Sequence, residues 1–202
     1  MSNRISDVAV IAKKETAAHR IAVSAAGVLL FVIATAAAAK IKIYLPFTPV
    51  PITLQPMLVL LSGGVLGGRL GAISMFVYVA LGAAGLPMFA GNPGSGIAVL
   101  TGATGGYLFS YPIVSWMVGM LTRKSNRLIV NLLVMFLGMT VIYLFGIVWL
   151  ALFMKIDFYR AFMLGGAPFL LSDIVKAILA ASISWRFRHR SIRVFNHSKS
   201  DG

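Results

Sequence analysis

Asp173 and Lys176 stand three residues apart in a run, 161–185, that carries no other charge. At that spacing they share one face of a helix. One accepts hydrogen bonds and the other donates them, so together they can hold a polar solute. They can also satisfy each other as an ion pair that locks the helix in place. A charge inside such an apolar run costs on the order of several kcal/mol, so it faces a cavity, a partner or a substrate.

A second group of polar side chains lies in the segment 88–107. Asn92, Thr101, Thr104 and Tyr107 supply hydrogen-bonding groups there among six glycines and several apolar residues. Glycine lets backbone amides approach a ligand closely. Phe47 and Phe89 can pack on an apolar ring. Taken singly, each of these also reads as a turn or core residue.

Other chemistries lack their residues. No Gly-x-x-x-x-Gly-Lys-[Ser/Thr] loop is present to hold ATP phosphates. The three histidines, His19, His189 and His197, lie in the terminal segments, and cysteine is absent. No metal site, thiolate nucleophile or disulfide framework is therefore expected. No apolar run holds a pair of carboxylates. Ser172 adjoins Asp173 and lies four residues before Lys176, but spacing alone does not make it a nucleophile. No catalytic residue is assigned, and the chain is not read as an enzyme.

The elements that must carry these residues are helices in a bilayer. Of 202 residues, 59% are hydrophobic and 11% charged. Soluble domains average roughly 25% charged residues, so this chain lacks the side chains to coat a water-facing surface. A membrane helix takes ~20 apolar residues. The apolar runs predict six, at 21–39, 55–67, 70–85, 107–121, 128–154 and 167–185. The expected fold is an all-α integral membrane protein of six transmembrane helices with ordered outer loops. It reads as one membrane domain, 21–185, between basic tails at 1–20 and 186–202. Pro46, Pro49 and Pro51 rule out helix interior between the first two runs, so an ordered loop is expected there. The segment 155–166 reads as a mixed loop or a short interfacial helix. The first apolar run is too long for a signal-peptide core and follows about twenty mixed residues, so no cleavable signal is expected.

The net charge of +13 does not point to nucleic acid. The bases sit in tails and short loops, without a stripe of interleaved aromatics. Such residues set orientation and meet anionic lipid. With six spans, thirteen of the eighteen lysines and arginines fall on the side of the tails, four on the other side, and Lys176 within a span. Both tails are then cytoplasmic. Ala18, Ala22 and Ala26 repeat every four residues at the start of the first run. Small residues at that spacing let membrane helices approach closely, within the chain or with a partner.

Five motifs occur in order: Pro49-Val50-Pro51-Ile52-Thr53-Leu54-Gln55, Leu66-Gly67-Gly68-Arg69-Leu70-Gly71-Ala72, Gly82-Ala83-Ala84-Gly85-Leu86-Pro87-Met88-Phe89-Ala90-Gly91, Gly102-Ala103-Thr104-Gly105-Gly106-Tyr107-Leu108 and Pro168-Phe169-Leu170-Leu171-Ser172-Asp173-Ile174-Val175-Lys176. The set resembles the BioY family, the biotin-binding membrane subunits (S components) of energy-coupling-factor vitamin transporters. The chain departs from the family pattern at Ala103, where proline is usual, and at Ser172, where glycine is usual. Both keep a small residue and should alter loop rigidity more than ligand chemistry.

The resemblance implies a subunit in a prokaryotic cell membrane that binds biotin from outside and mediates its uptake. It implies a transmembrane coupling protein and ATPase subunits as partners, though a solitary homo-oligomer is also open. ATP would act only through the partners, and no cofactor is expected. Asp173 and Lys176 become polar anchors for biotin. Asn92, Tyr107, Thr104, Thr101, Phe89 and Gln55, which ends the first motif, become further candidate contacts. The Ala18, Ala22 and Ala26 face is expected to meet the coupling protein, with Ala22 and Ala26 the best fit. The alternatives are a subunit for another vitamin, such as thiamine or riboflavin, and a membrane enzyme or assembly factor.

The basic asymmetry gives a topology test. A reporter fused after Gly202 should be active only inside the cell. Labelling of a C-terminal tag by an impermeant reagent in intact cells would contradict the orientation.

Overall fold

The computed structural model describes the backbone of residues 2–90, 96–125 and 127–200, and the side chains of these except 2–17 and 189–200. Its long helices are α1 (Ser2–Lys40), α2 (Gln55–Leu66), α3 (Gly68–Ala83), α5 (Gly105–Thr122), α6 (Leu128–Met154) and α8 (Leu170–Ser200). Short helices α4 (Gly96–Thr101) and α7 (Phe158–Gly165) lie between them, and a 3-10 turn, Ala167–Phe169, leads into α8. Two short strands, β1 (Lys42–Ile43) and β2 (Ile52–Thr53), pair antiparallel with Lys42 opposite Thr53.

The proline-rich loop is therefore a hairpin, tied at its base by two residues from each arm. Pro46, Pro49 and Pro51 stay between the strands, while Pro56 falls in the first turn of α2, where its missing N–H costs nothing. The segment 155–166 holds α7, capped by Asp157, whose Oδ1 accepts from the Arg160 amide at 3.0 Å. The tails read from composition fall largely on helical backbone, since α1 starts at Ser2 and α8 runs to Ser200.

Polarity is inverted relative to a water-soluble domain. Leu152 and Leu171 on the periphery are 72% and 78% exposed, while Ser62, Ser74, Ser110 and Ser115 are fully buried. This suits a molecule whose solvent is hydrocarbon. Three stretches, Ala18–Lys40, Leu128–Met154 and Phe158–Arg188, are long and apolar enough to cross a membrane. Helices α2 and α3 are apolar but shorter, at 12 and 16 residues. At 1.5 Å per residue they reach only about 18 and 24 Å, against a hydrocarbon core of about 30 Å. The all-α membrane fold stands, with three helices of full spanning length among the described residues.

Small residues let α2, α3 and α5 come together. Gly67 turns the chain between α2 and α3 at φ +83°, in the left-handed region that a side chain disfavours. A Cβ on Gly63 would collide with the backbone carbonyl of Ser115 in α5. Beside that contact the Ser62 and Ser115 hydroxyls meet at 2.7 Å, so each buried polar group has a partner.

Gly63→Ala should therefore lower stability by about 1–3 kcal/mol, the scale of overpacking. Thermal unfolding in detergent checks this. An unchanged melting temperature would mean that α2 and α5 do not pack as described.

Candidate functional site

Helix α8 begins at Leu170, directly after the 3-10 turn that contains Pro168. Asp173 thus sits in the first turn, where the helix dipole favours a negative charge. Lys176 follows on the same face. Both are buried, at 5% and 6% exposure. Lys176 Nζ lies 2.5 Å from Asp173 Oδ1 and 3.4 Å from the Ser172 hydroxyl. The Ser172 hydroxyl has one proton and two acceptors in reach, the Phe169 carbonyl at 2.9 Å and Asp173 Oδ1 at 3.2 Å. On the other side of the carboxylate, the Tyr143 hydroxyl of α6 donates to Asp173 Oδ2 at 2.5 Å.

The pair is both an ion pair and part of a cavity wall. A cavity of about 220 Å³ opens beside it, lined by Asp173, Lys176, Tyr143, Tyr107 and Tyr111 from the long helices. The hairpin from Pro49 to Thr53, Phe89 and the turn Gly102–Thr104 enclose the rest. The walls are mostly apolar and aromatic. The Tyr78 ring packs edge-on to Phe89 at 5.7 Å and stacks against Tyr111 at 6.3 Å.

Hydrogen bonds from several elements hold this shell. The Gln55 amide donates to the Tyr78 hydroxyl at 2.6 Å, which donates to the Met88 carbonyl at 2.9 Å. The Tyr107 hydroxyl donates to the Gly165 carbonyl at 2.7 Å, and Trp149 Nε1 to the Gly102 carbonyl at 2.8 Å. The hairpin is fastened at both ends. Lys42 Nζ and the Tyr44 hydroxyl converge on the Ala90 carbonyl at 2.7 and 2.9 Å, and the Thr48 hydroxyl donates to the Leu164 carbonyl at 2.7 Å.

Six of the residues expected from the sequence line this cavity: Asp173, Lys176, Tyr107, Thr104, Phe89 and Gln55. Thr101 does not. It is exposed on α4, and its hydroxyl turns back to the Ile97 and Ala98 carbonyls at 3.2 and 3.5 Å. Phe47, 58% exposed, is also absent from the lining. Asn92 lies outside the described residues. Tyr143, Tyr111 and Tyr44 line the cavity without having been singled out from the sequence. Tyr143 sits in the middle of the longest apolar run, where only its bond to Asp173 sets it apart from the apolar rings around it. Ala18, Ala22 and Ala26 are all exposed along α1.

The chain is similar to known proteins in sequence and in fold. The model of the BioY family matches residues 11–193. A protein of Pyrococcus horikoshii named "Probable biotin transporter BioY" is 45% identical over 161 residues, covering 80% of this chain and 93% of that one. A "Biotin transporter BioY" of Thermotoga maritima is 38% identical over 146 residues, covering 72% and 85%. Among solved structures, the S-component for biotin from an ECF-type ABC transporter, a crystal structure at 2.1 Å, superimposes with a TM-score of 0.78 at 27% identity. That match covers 85% of this chain and 93% of the other. Matched from residue 11 to 193 by the family model and over 80% of its length by a relative 45% identical to it, the chain belongs to the BioY family.

Proposed function

We propose that this chain is the substrate-binding membrane subunit of a biotin uptake system. The observation that carries the reading is the buried Asp173–Lys176 pair in the wall of an apolar, aromatic cavity. At about 220 Å³, the cavity suits a small solute; sites for drug-sized ligands run to roughly 300–1,000 Å³. The biotin relatives and the biotin S-component support the same ligand.

The donor and acceptor inventory at the pair matches one end of biotin better than the other. An ammonium has three N–H donors. Lys176 directs one to Asp173 and one to Ser172, which leaves one for a ligand. Asp173 retains acceptor capacity beside it. The pair thus offers a donor next to an acceptor, complementary to the C=O and N–H edge of a ureido ring. A ligand carboxylate at the same place would meet the Asp173 charge. We therefore assign the ureido ring to the pair and the apolar bicycle to the aromatic wall. Tyr107, Thr104, Phe89 and Gln55 complete the enclosure. Ser172 is not a nucleophile in this scheme: its proton rests on the Phe169 carbonyl or on Asp173 Oδ1, and that carboxylate is already ion-paired with Lys176. The subunit binds and carries its ligand without a catalytic step.

In this reading six helices cross the cell membrane with both tails cytoplasmic, and the hairpin closes the cavity from outside. Energy comes from ATPase subunits through a transmembrane coupling protein. Ala22 and Ala26, small and exposed on α1, form the face that meets it. The basic residues of the cytoplasmic side meet anionic lipid.

Two mutants test the two faces. Asp173→Asn keeps the size but loses the charge, so biotin affinity should fall by about 1.5–3 kcal/mol, the range for hydrogen bonds to charged groups. That is roughly ten- to a hundredfold or more in Kd. Titration of the folded fraction measures it, and wild-type affinity there would refute the ligand role. Ala22→Trp should weaken co-purification with the coupling subunits and leave biotin binding near normal. Unchanged co-purification would count against the docking face.

A further inference from the structure

Tyr143 has no role in the reading above, yet it touches the group on which that reading depends. Its hydroxyl donates to Asp173 Oδ2 at 2.5 Å, and its side chain lines the cavity. A carboxylate offers about four acceptor positions over two oxygens. At Asp173, Oδ1 faces Lys176 at 2.5 Å and the Ser172 hydroxyl at 3.2 Å. Tyr143 takes one position on Oδ2. With the Ser172 proton on Oδ1 rather than on the Phe169 carbonyl, one position among the described residues, on Oδ2, is left for a ligand.

We infer that Tyr143 sets ligand specificity by limiting Asp173 to a single donor from the ligand. It acts through the carboxylate and is a positioning residue. The inference rests on the biotin reading and deepens it. With Tyr143 in place, the site accepts one N–H through Asp173 and requires an acceptor for Lys176. A ureido edge supplies both. An edge with donors at both points leaves Lys176 without an acceptor and brings one donor too many for Asp173. The imino analogue of biotin, whose carbonyl oxygen is replaced by N–H, has such an edge in its protonated, guanidinium form. Without the phenol hydroxyl, Oδ2 regains a position and can take the second donor. The carboxylate also loses the bond that orients it toward the ureido N–H.

Dissociation constants of purified protein for biotin and for its imino analogue test this in wild type, Tyr143→Phe and Tyr143→Gln. Wild type should prefer biotin. Tyr143→Phe should weaken biotin by about tenfold, the scale of one hydrogen bond to a charged group. The analogue should lose less, so the preference narrows. Tyr143→Gln keeps an N–H donor and should retain more of the preference than Tyr143→Phe. A dissociation constant does not depend on the fraction of protein that folds, so loss of stability does not imitate the result. If both ligands weaken by the same factor in Tyr143→Phe, or neither changes, Tyr143 supports the fold only and the inference fails. Wild-type protein that takes no biotin would overturn the transport reading itself, and this inference with it.

Discussion

A carboxylate and an ammonium under an apolar shell are costly, and the site follows from how that cost is met. The desolvation of two buried charges can exceed their mutual attraction unless the remaining lone pairs and protons find partners. Here the partners come from three places. Lys176 lies one turn along the same helix, Ser172 is the neighbouring residue, and Tyr143 reaches across from α6. The start of α8 adds its dipole to the same carboxylate. What remains unfilled is one edge, facing the cavity. A pair satisfied on all sides would be a structural lock. A pair satisfied on all sides but one is suited to a ligand.

That arrangement constrains the rest of the fold. Tyr143 reaches Asp173 only if α6 and α8 pack closely, and the cavity stays narrow only if α2, α3 and α5 do the same. Glycine and serine at the crossing points allow it, with the Ser62 and Ser115 hydroxyls satisfying each other inside the bundle and leucines turned outward. On the open side, the hairpin is pinned to the Ala90 and Leu164 carbonyls by Lys42, Tyr44 and Thr48. Between its two short strands that backbone is neither helix nor sheet, and it lines a protein cavity, where such backbone is tolerated.

The parts of this account that were legible in the sequence are those with few physical alternatives. Asp173 and Lys176 were legible because a charge in an apolar run has few tolerable surroundings. The run 128–154 matches α6 residue for residue, since nothing in it breaks a helix and basic residues bound it. The hairpin was visible only as an ordered loop, because its strands are two residues each, too short to show an alternating pattern. Thr101 misled because a threonine among glycines looks free to bind, whereas α4 lets its hydroxyl return to carbonyls one turn back. Tyr143 was hidden for the opposite reason. In a helix as apolar as α6, one tyrosine reads as another ring until its partner on α8 is known.

The central claim is that the Asp173–Lys176 pair meets the ureido group of biotin. The vibrational frequency of that carbonyl reports it directly. With the ureido carbon isotopically labelled, an infrared difference spectrum isolates its stretch in the bound state. A donated N–H from Lys176 should shift the band to lower frequency in wild-type protein, and Lys176→Met should remove most of that shift in whatever biotin it still binds. The same bound frequency in both proteins would show that the ureido group lies elsewhere and would contradict the account.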